Sequence, residues 1–302
     1  MIRAVLFPGQ GAQFVGMAGD WCDESPAWRD LFARASSHLG YDLEAVCRAG
    51  PKERLDSTAV SQPAILVTSL AALEWLRHRT PSVLDDVAMT AGLSLGEYTA
   101  LVFSGALSFE SALIVVAERG RAMQDCAVAT PGGMVAILGL GREVLAEMCE
   151  TVRGDGEALA VANVLCPGNI VVSGTRSACA RLVEAATQGG AMKCVLLDVA
   201  GAFHTPLMQP AVERLKRVLA STEIRPPSLP MVSNVDALPH DDPDEIRALL
   251  AKQVCGVVEW QRSVEYMLGQ GLTEVWEVGP GRVLRGLMKR IARQLPCHGA
   301  PE

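Results

Sequence analysis

The sequence predicts an α/β protein: a parallel-sheet large domain with helices on both faces, interrupted by a small ferredoxin-like domain. Two observations lead there. In the outer portions of the chain, short apolar runs alternate with helical periods, the pattern of a parallel sheet covered by helices. Between 132 and 199 the order instead reads β-α-β-β-α-β, the ferredoxin-like unit, punctuated by Pro131-Gly132-Gly133 before it and Gly201 after it. The 302 residues suffice for one large domain or two modest ones, and a hydrophobic content of 49% supplies a sizeable core. The boundaries that follow are 1–130 with 200–302 for a discontinuous large domain, and 131–199 for the insert.

The elements follow in chain order. Residues 2–7 (IRAVLF) form an apolar run closed by Pro8-Gly9, a strand and a sharp turn. Helical periods follow at 26–39 and, more strongly, at 61–78 (SQPAILVTSLAALEWLRH). DVAMTAG (86–92) reads as a buried strand and GEYTALVFSGA (96–106) as a helix. Ser108 is a plausible N-cap for a helix running to about Gln124. In the insert, GGMVAILGL is a strand and REVLAEMCETV a helix. ALAVANV and NIVVSGT are strands around a Pro-Gly turn, SACARLVEAATQ a helix and MKCVLLDVA a strand. The chain returns with a helix at 206–220, a strand at 230–235, an Asp- and Pro-rich loop at 236–244 and more helix. TEVWEVG (273–279) is the last strand expected, ahead of a C-terminal helix.

Composition removes several classes of function. A formal net charge of -7 argues against sequence-independent binding to nucleic acid. No stretch approaches ~18 uninterrupted apolar residues, so no membrane span is expected. The nine cysteines are odd in number, scattered and without a CxxC pair. That fits reduced thiols in a cytosol-like compartment, not a disulfide framework or a zinc site. A plastid location would need a transit peptide outside this sequence. Cys166, in VLCPGN, has no histidine near it in sequence and reads as a core thiol before a nucleophile.

The stretch Gly92-Leu93-Ser94-Leu95-Gly96 fits G-x-S-x-G between a strand and a helix, the context the nucleophile elbow requires. The serine takes a strained backbone so that its hydroxyl stands clear of the sheet, and the glycines avoid collisions. Its place at a helix N-terminus favours developing negative charge. Such a serine needs a base. His38 lies near a helix end, His78 in a charged segment, His240 in the acidic loop and His298 in the C-terminal tail. Only His204, in VAGAFHTPLM, lies among apolar residues at a strand-to-helix junction, so elimination among the histidines selects it as general base; the alternative is a buried, hydrogen-bonded histidine at a helix start. The backbone N–H of Leu95 is one expected oxyanion donor, and the loop Pro8-Gly9-Gln10-Gly11 supplies a second. A dinucleotide fingerprint in that loop fails, because Phe14 stands where its third glycine belongs.

In SFESALIVVAERGRAMQ, at about 100° per residue, Arg119 shares a stripe with Ala112, Val115, Val116 and Met123, while Arg121 points away. A buried guanidinium demands an anionic partner. That partner is either an internal carboxylate or a carboxylate on the substrate, held by paired hydrogen bonds. Beside an acyl-transfer serine, the second choice suggests an acyl group with its own free carboxylate.

FPGQGAQ (7–13), SQPAIL (61–66), GLSLGEYTAL (92–101), ERGRAMQ (118–124), GAFHTPLM (201–208), SNVDA (233–237) and EVGPGRVLRGL (277–287) resemble the malonyl-CoA:acyl carrier protein transacylase family, in order and over roughly 2–293. Leu93 with ANVLCPGN and VSNVDALPH is most similar to the plastid-type and related bacterial branch. The resemblance implies a hydrolase-like α/β domain with a ferredoxin-like insert, and a Ser94–His204 pair in place of a full triad. It implies that the backbone carbonyl of Gln253 orients the histidine, and that Arg119 grips the malonyl carboxylate. Gln10 and Leu95 match the oxyanion-hole donors, and Phe203 resembles the bulky residue that goes with malonyl over methylmalonyl units. Where the family usually has GHSLG, this chain has Leu93, so any polar role at that position is absent.

The implied reaction moves a malonyl group from malonyl-CoA, through a serine ester, to the phosphopantetheine thiol of acyl carrier protein, with no metal or redox cofactor. The rivals are a trans-acting polyketide synthase acyltransferase, an acyl-thioester hydrolase, which leaves Arg119 unexplained, and an inert docking module. An acidic carrier protein is the expected partner. Arg282, Arg285, Lys289 and Arg293 form a basic stripe opposite Leu284, Leu287, Met288 and Ile291 that is either a solvated face or its docking surface.

Overall fold

The structure is a computed structural model that describes residues 2–301. The chain opens with β1 (Arg3–Phe7), whose alternate side chains are buried on opposite sides. Val5 and Phe7 enter one apolar cluster, Ala4 and Leu6 the other, so this strand needs cover on both faces. The cover on the first face comes next: α1 (Pro26–Leu39), α2 (Leu43–Ala49), α3 (Lys52–Asp56), α4 (Thr58–Arg79) and α5 (Ser82–Asp85). Helix α4 is long and apolar enough to cross a membrane, but it is a core helix here, 78% of its most apolar window being buried. β2 (Val87–Gly92) then pairs in parallel with β1, ending at the pair Phe7 and Gly92.

After α6 (Gly96–Phe103) comes α7 (Phe109–Ala129), capped by the Ser108 hydroxyl as expected and running five residues beyond Gln124. The insert follows: β3 (Gly132–Leu138), α8 (Arg142–Val152), β4 (Leu159–Cys166), β5 (Asn169–Thr175), α9 (Arg176–Gln188) and β6 (Lys193–Leu196). Its antiparallel sheet has the order β4-β5-β3-β6, the arrangement of a ferredoxin-like unit. The strand expected over 192–200 stops at Leu196, with one further bond from Leu197 N–H to Met134 O at 3.0 Å before the chain leaves the sheet. Leu197 and Val199 turn toward the cavity described below.

The chain returns through a single 3-10 turn into α10 (Gln209–Ala220) and β7 (Met231–Val232). It continues with α11 (Pro243–Gln253), α12 (Trp260–Gly269), β8 (Glu274–Val278), α13 (Val283–Ile291) and β9 (Cys297–Ala300). The large sheet is parallel throughout, in the order β7-β2-β1-β8-β9. Trp260, Val264, Leu284 and Met288 cover its second face. The chain winds from β1 to β2 on one side and reaches β8 on the other. The switch point therefore lies between β1 and β8, and the carboxyl ends of β1 and β2 stand beside it, where such sheets bind ligands.

Two further sequence expectations change. The strand at 230–235 shrinks to Met231–Val232, because Asn234 leaves the ladder to bond elsewhere. β9 was not foreseen: CHGA carries no apolar alternation, and its place is fixed by parallel pairing to β8.

Candidate active site

The ladder between β1 and β2 continues one step past the strands, with Leu93 N–H bonded to Phe7 O at 3.0 Å. Ser94 then turns out of it with φ 49, a left-handed conformation that a residue with a Cβ adopts only under constraint. Helix α6 starts two residues later. The corner closes because three glycines let backbones touch. A Cβ on Gly92 would strike the backbone of Gly96 and Glu97. One on Gly96 would strike the Phe7 carbonyl, and one on Gly9 the Leu93 carbonyl. Asn234 locks the corner from the far side: its Oδ1 accepts from Ser94 N at 2.6 Å, and its Nδ2 donates to Gly92 O at 2.8 Å.

His204 reaches the same corner from the loop before α10, with φ 59 and 5% exposure. Its Nε2 lies 3.0 Å from Ser94 Oγ and its Nδ1 2.9 Å from the Gln253 carbonyl. A carbonyl only accepts, so Nδ1 carries the proton and Nε2 presents a lone pair to the serine. Burial, reinforced by the nearby Arg119 charge, pushes this imidazole down to about 4. It is therefore neutral, and competent to accept a proton, at physiological pH.

Arg119 points inward as its helical stripe predicts and is 2% exposed. It is brought there by close crossing of α4 and α7, where a Cβ on Gly120 would sit 2.7 Å from Thr58 O. Its Nη1 donates to Gln62 Oε1 at 2.7 Å, and its Nη2 to Gln253 Oε1 at 2.9 Å and Ser94 Oγ at 3.0 Å. Its Nε has no hydrogen-bond partner. Burial pulls the guanidinium below its ordinary value, yet an arginine stays protonated in proteins. Neither alternative weighed from the sequence describes this resting state. The guanidinium is held by two amide oxygens and a hydroxyl, not by a carboxylate of its own.

Gln10 and Leu95 line one cavity of about 160 Å³ with Ser94, Arg119, His204 and Phe203. A cavity of ~150 Å³ accepts benzene, so this space holds a small acyl group. The insert supplies the opposite wall through Met134, Asn163, Leu165 and Val171. Leu93 and Val283 complete an apolar rim.

Three participants escaped the sequence analysis as individual residues. Gln62 and Asn234 lie inside quoted motifs, but nothing in their spacing assigned them a contact. Glu97 follows the elbow and reads as an ordinary acid in a first helical turn. In the structure it is 1% exposed, and its Oε2 accepts from Gln253 Nε2 at 2.6 Å and Asn234 N at 3.2 Å. Burial pushes it up to about 7 against those hydrogen bonds.

Other candidates lie elsewhere. Cys166 is fully buried in the cluster around Trp260, and burial raises its thiol. His240 bonds Asp236 and Glu245, and His298, which is in β9 and not a loose tail, stacks on Trp276 at 4.8 Å. The basic stripe is broken: Arg285 folds back onto buried Glu277, leaving Arg282, Lys289 and Arg293 exposed. Among the described residues, no group of three or more His, Cys, Asp or Glu is placed to hold a metal ion.

The acyl transferase domain family matches residues 5–267. The malonyl CoA-acyl carrier protein transacylase of Bacillus subtilis is 40% identical over 292 residues, 97% of this chain and 91% of that one. The solved malonyl CoA-acyl carrier protein transacylase of Coxiella burnetii superposes with a TM-score of 0.94 at 37% identity, covering 99% of this chain and 93% of that one. A structure of a type II polyketide synthase acyl-carrier protein in complex with its malonyl-transacylase gives 0.93 at 36% identity, covering 99% and 96%.

Proposed function

The chain belongs to the malonyl-CoA:acyl carrier protein transacylase family, and on that premise we propose a malonyl transfer run by Ser94 and His204. The protein is an acyltransferase that moves malonyl from malonyl-CoA to the phosphopantetheine thiol of acyl carrier protein, for fatty-acid synthesis. Residues 1–130 and 200–302 serve as the catalytic unit, and 131–199 as the insert that walls the site. The free cysteines suit a reducing compartment such as the cytoplasm.

Arg119 beside Ser94 is the observation that carries the reading. A thioester whose acyl group ends in a carboxylate takes the guanidinium edge by paired hydrogen bonds, which places its carbonyl carbon against Ser94 Oγ. His204 Nε2 removes the hydroxyl proton as Oγ attacks, and the Gln253 carbonyl stabilises the imidazolium through Nδ1–H. The N–H groups of Gln10 and Leu95 take the oxyanion; losing one such donor costs roughly 2.7–4 kcal/mol of barrier. The CoA sulfur leaves with the proton from His204, forming a malonyl-serine ester. The carrier thiol then gives its proton to His204 and attacks that ester; His204 passes this proton to the departing Ser94 Oγ, which restores the hydroxyl and the neutral imidazole. Bond for bond, one thioester replaces another, so no electrons are exchanged and no redox cofactor is required. Phe203, packed against the same cavity, narrows the space for a substituent on the malonyl carbon.

The test uses labelled malonyl-CoA with and without pantetheinylated carrier. The expected result is label on Ser94, then on the carrier, and no label on Ser94→Ala. Free malonate formed equally fast with and without carrier would make the protein a hydrolase. Arg119→Ala should abolish the preference for malonyl-CoA over acetyl-CoA, at a cost of roughly 2–5 kcal/mol by analogy with broken charge pairs.

A further inference from the structure

We propose that Glu97 is a positioning residue that sets the acyl-group preference by fixing the Gln253 amide against Arg119. The inference rests on the malonyl reading above.

The Gln253 side chain lies between two groups of opposite character. On one side is the Arg119 guanidinium, which has donors only; on the other is the Glu97 carboxyl oxygen, 2.6 Å from Nε2. A glutamine amide can present either end, and its neighbours choose. With Glu97 Oε2 taking a hydrogen from Nε2, the amide oxygen faces Arg119 Nη2, 2.9 Å away. The remaining Nε2 hydrogen goes to Ser94 O at 3.0 Å. Reversed, the amide would set N–H groups against N–H groups and leave Arg119 Nη2 without that acceptor.

Gln62, the other amide on the guanidinium, lacks such a lock: its Nε2 meets only the soft acceptor Met123 Sδ at 3.4 Å. Glu97 makes the shorter of the two hydrogen bonds from Gln253 Nε2, 2.6 Å against 3.0 Å to Ser94 O, and is the only side chain that accepts from it. The arrangement also has an electrostatic consequence. A carboxylate bonded directly to Arg119 would neutralise it and compete with a substrate carboxylate. Placed one amide away, Glu97 holds the guanidinium still and leaves its charge for the acyl group.

The experiment compares kcat/KM for malonyl-CoA and acetyl-CoA in wild type, Glu97→Gln and Glu97→Leu, with folding checked by thermal melting. Glu97→Gln keeps an acceptor in place and should hold the malonyl-to-acetyl ratio within about threefold of wild type. Glu97→Leu keeps the bulk and removes the acceptor. Its ratio should fall by about tenfold or more, the scale of one hydrogen bond to a charged group, with KM for malonyl-CoA rising. A merely structural role would lower both substrates together and leave the ratio unmoved, and that result overturns the assignment. So does a loss of ratio in Glu97→Gln equal to that in Glu97→Leu, which would put the role in charge alone. If Glu97→Leu does not fold, Glu97→Ser, too short to reach Gln253, replaces it with the same expectation. A wild type that transfers no malonyl would sink the functional reading; a wild type that does, with an unmoved variant ratio, sinks only Glu97.

Discussion

His204 sits under two opposing influences, and their balance is measurable. Burial and the Arg119 charge depress its pKa to about 4, while the Gln253 carbonyl pulls it up. The acid limb of kcat/KM for serine acylation should therefore fall well below the ordinary histidine range, toward pH 4. A substrate carboxylate paired with Arg119 cancels part of that depression. The limb measured at saturating malonyl-CoA should thus lie higher than the one for kcat/KM. Stopped-flow acylation across pH 4–7 checks both, and coincident limbs would mean that Arg119 does not feel the substrate's charge. The stability consequence has a definite sign. The folded pKa is depressed, so the unfolded chain takes up the proton first, and this contribution to stability is lost as pH falls from about 6.5 toward 4. Ser94 and Arg119 were legible in the sequence because each broke a rule visible in one dimension, a hydroxyl at a strained corner and a cation on an apolar stripe. Glu97 was not legible, because an acid in a first helical turn satisfies the helix dipole and needs no further explanation.

At the scale of the element, the elbow is a backbone contact and not a side-chain one. α6 begins where Gly96 lies against the Phe7 carbonyl, leaving no room for a methyl group. Gly96→Ala should push the helix off β1, cost about 1–3 kcal/mol as overpacking does, and misplace Ser94. Loss of Ser94 labelling beyond what the melting temperature accounts for is the expected outcome; a variant with wild-type labelling would show that the corner can yield. The same logic explains which elements were readable. Helices and strands with apolar periods announced themselves, including the element order of the insert. β7 was overread because Asn234 sits in an apolar run yet spends its hydrogen bonds on Ser94 and Gly92. β9 was missed because it is held by neighbours: Gly299 lies beneath the Arg285 side chain, itself anchored to Glu277. Contacts between segments far apart in sequence leave no periodic trace.

For the whole molecule, the central fact is that the cavity lies between two sheets, so its shape depends on how firmly they are joined. One part of the join is a short hydrogen-bonded stretch. Val258 pairs with the edge of β4, bonding Ala162 O at 2.8 Å and Val164 N at 2.9 Å. The next residue, Glu259, donates its N–H to Asn234 O at 2.8 Å, and Asn234 in turn holds Ser94 N. Three consecutive hydrogen-bonded steps thus connect the insert to Ser94. The Glu259 carboxylate, 6% exposed, adds an ion pair at 2.8 Å to Arg142 at the start of α8. Arg142 is 40% exposed, so solvent screens the pair and its contribution to stability is about 1 kcal/mol or less. The pair ties the insert's first helix to the large domain beside the strand bridge, and a larger effect on local opening is the expected outcome. Arg142→Met should leave global unfolding nearly unchanged, speed amide exchange at Val164 and Val258 severalfold, and raise KM for malonyl-CoA more than it lowers kcat, because a looser wall weakens acyl binding before it disturbs Ser94. Exchange at those two amides as slow as in wild type would locate the rigidity in the Val258 pairing alone.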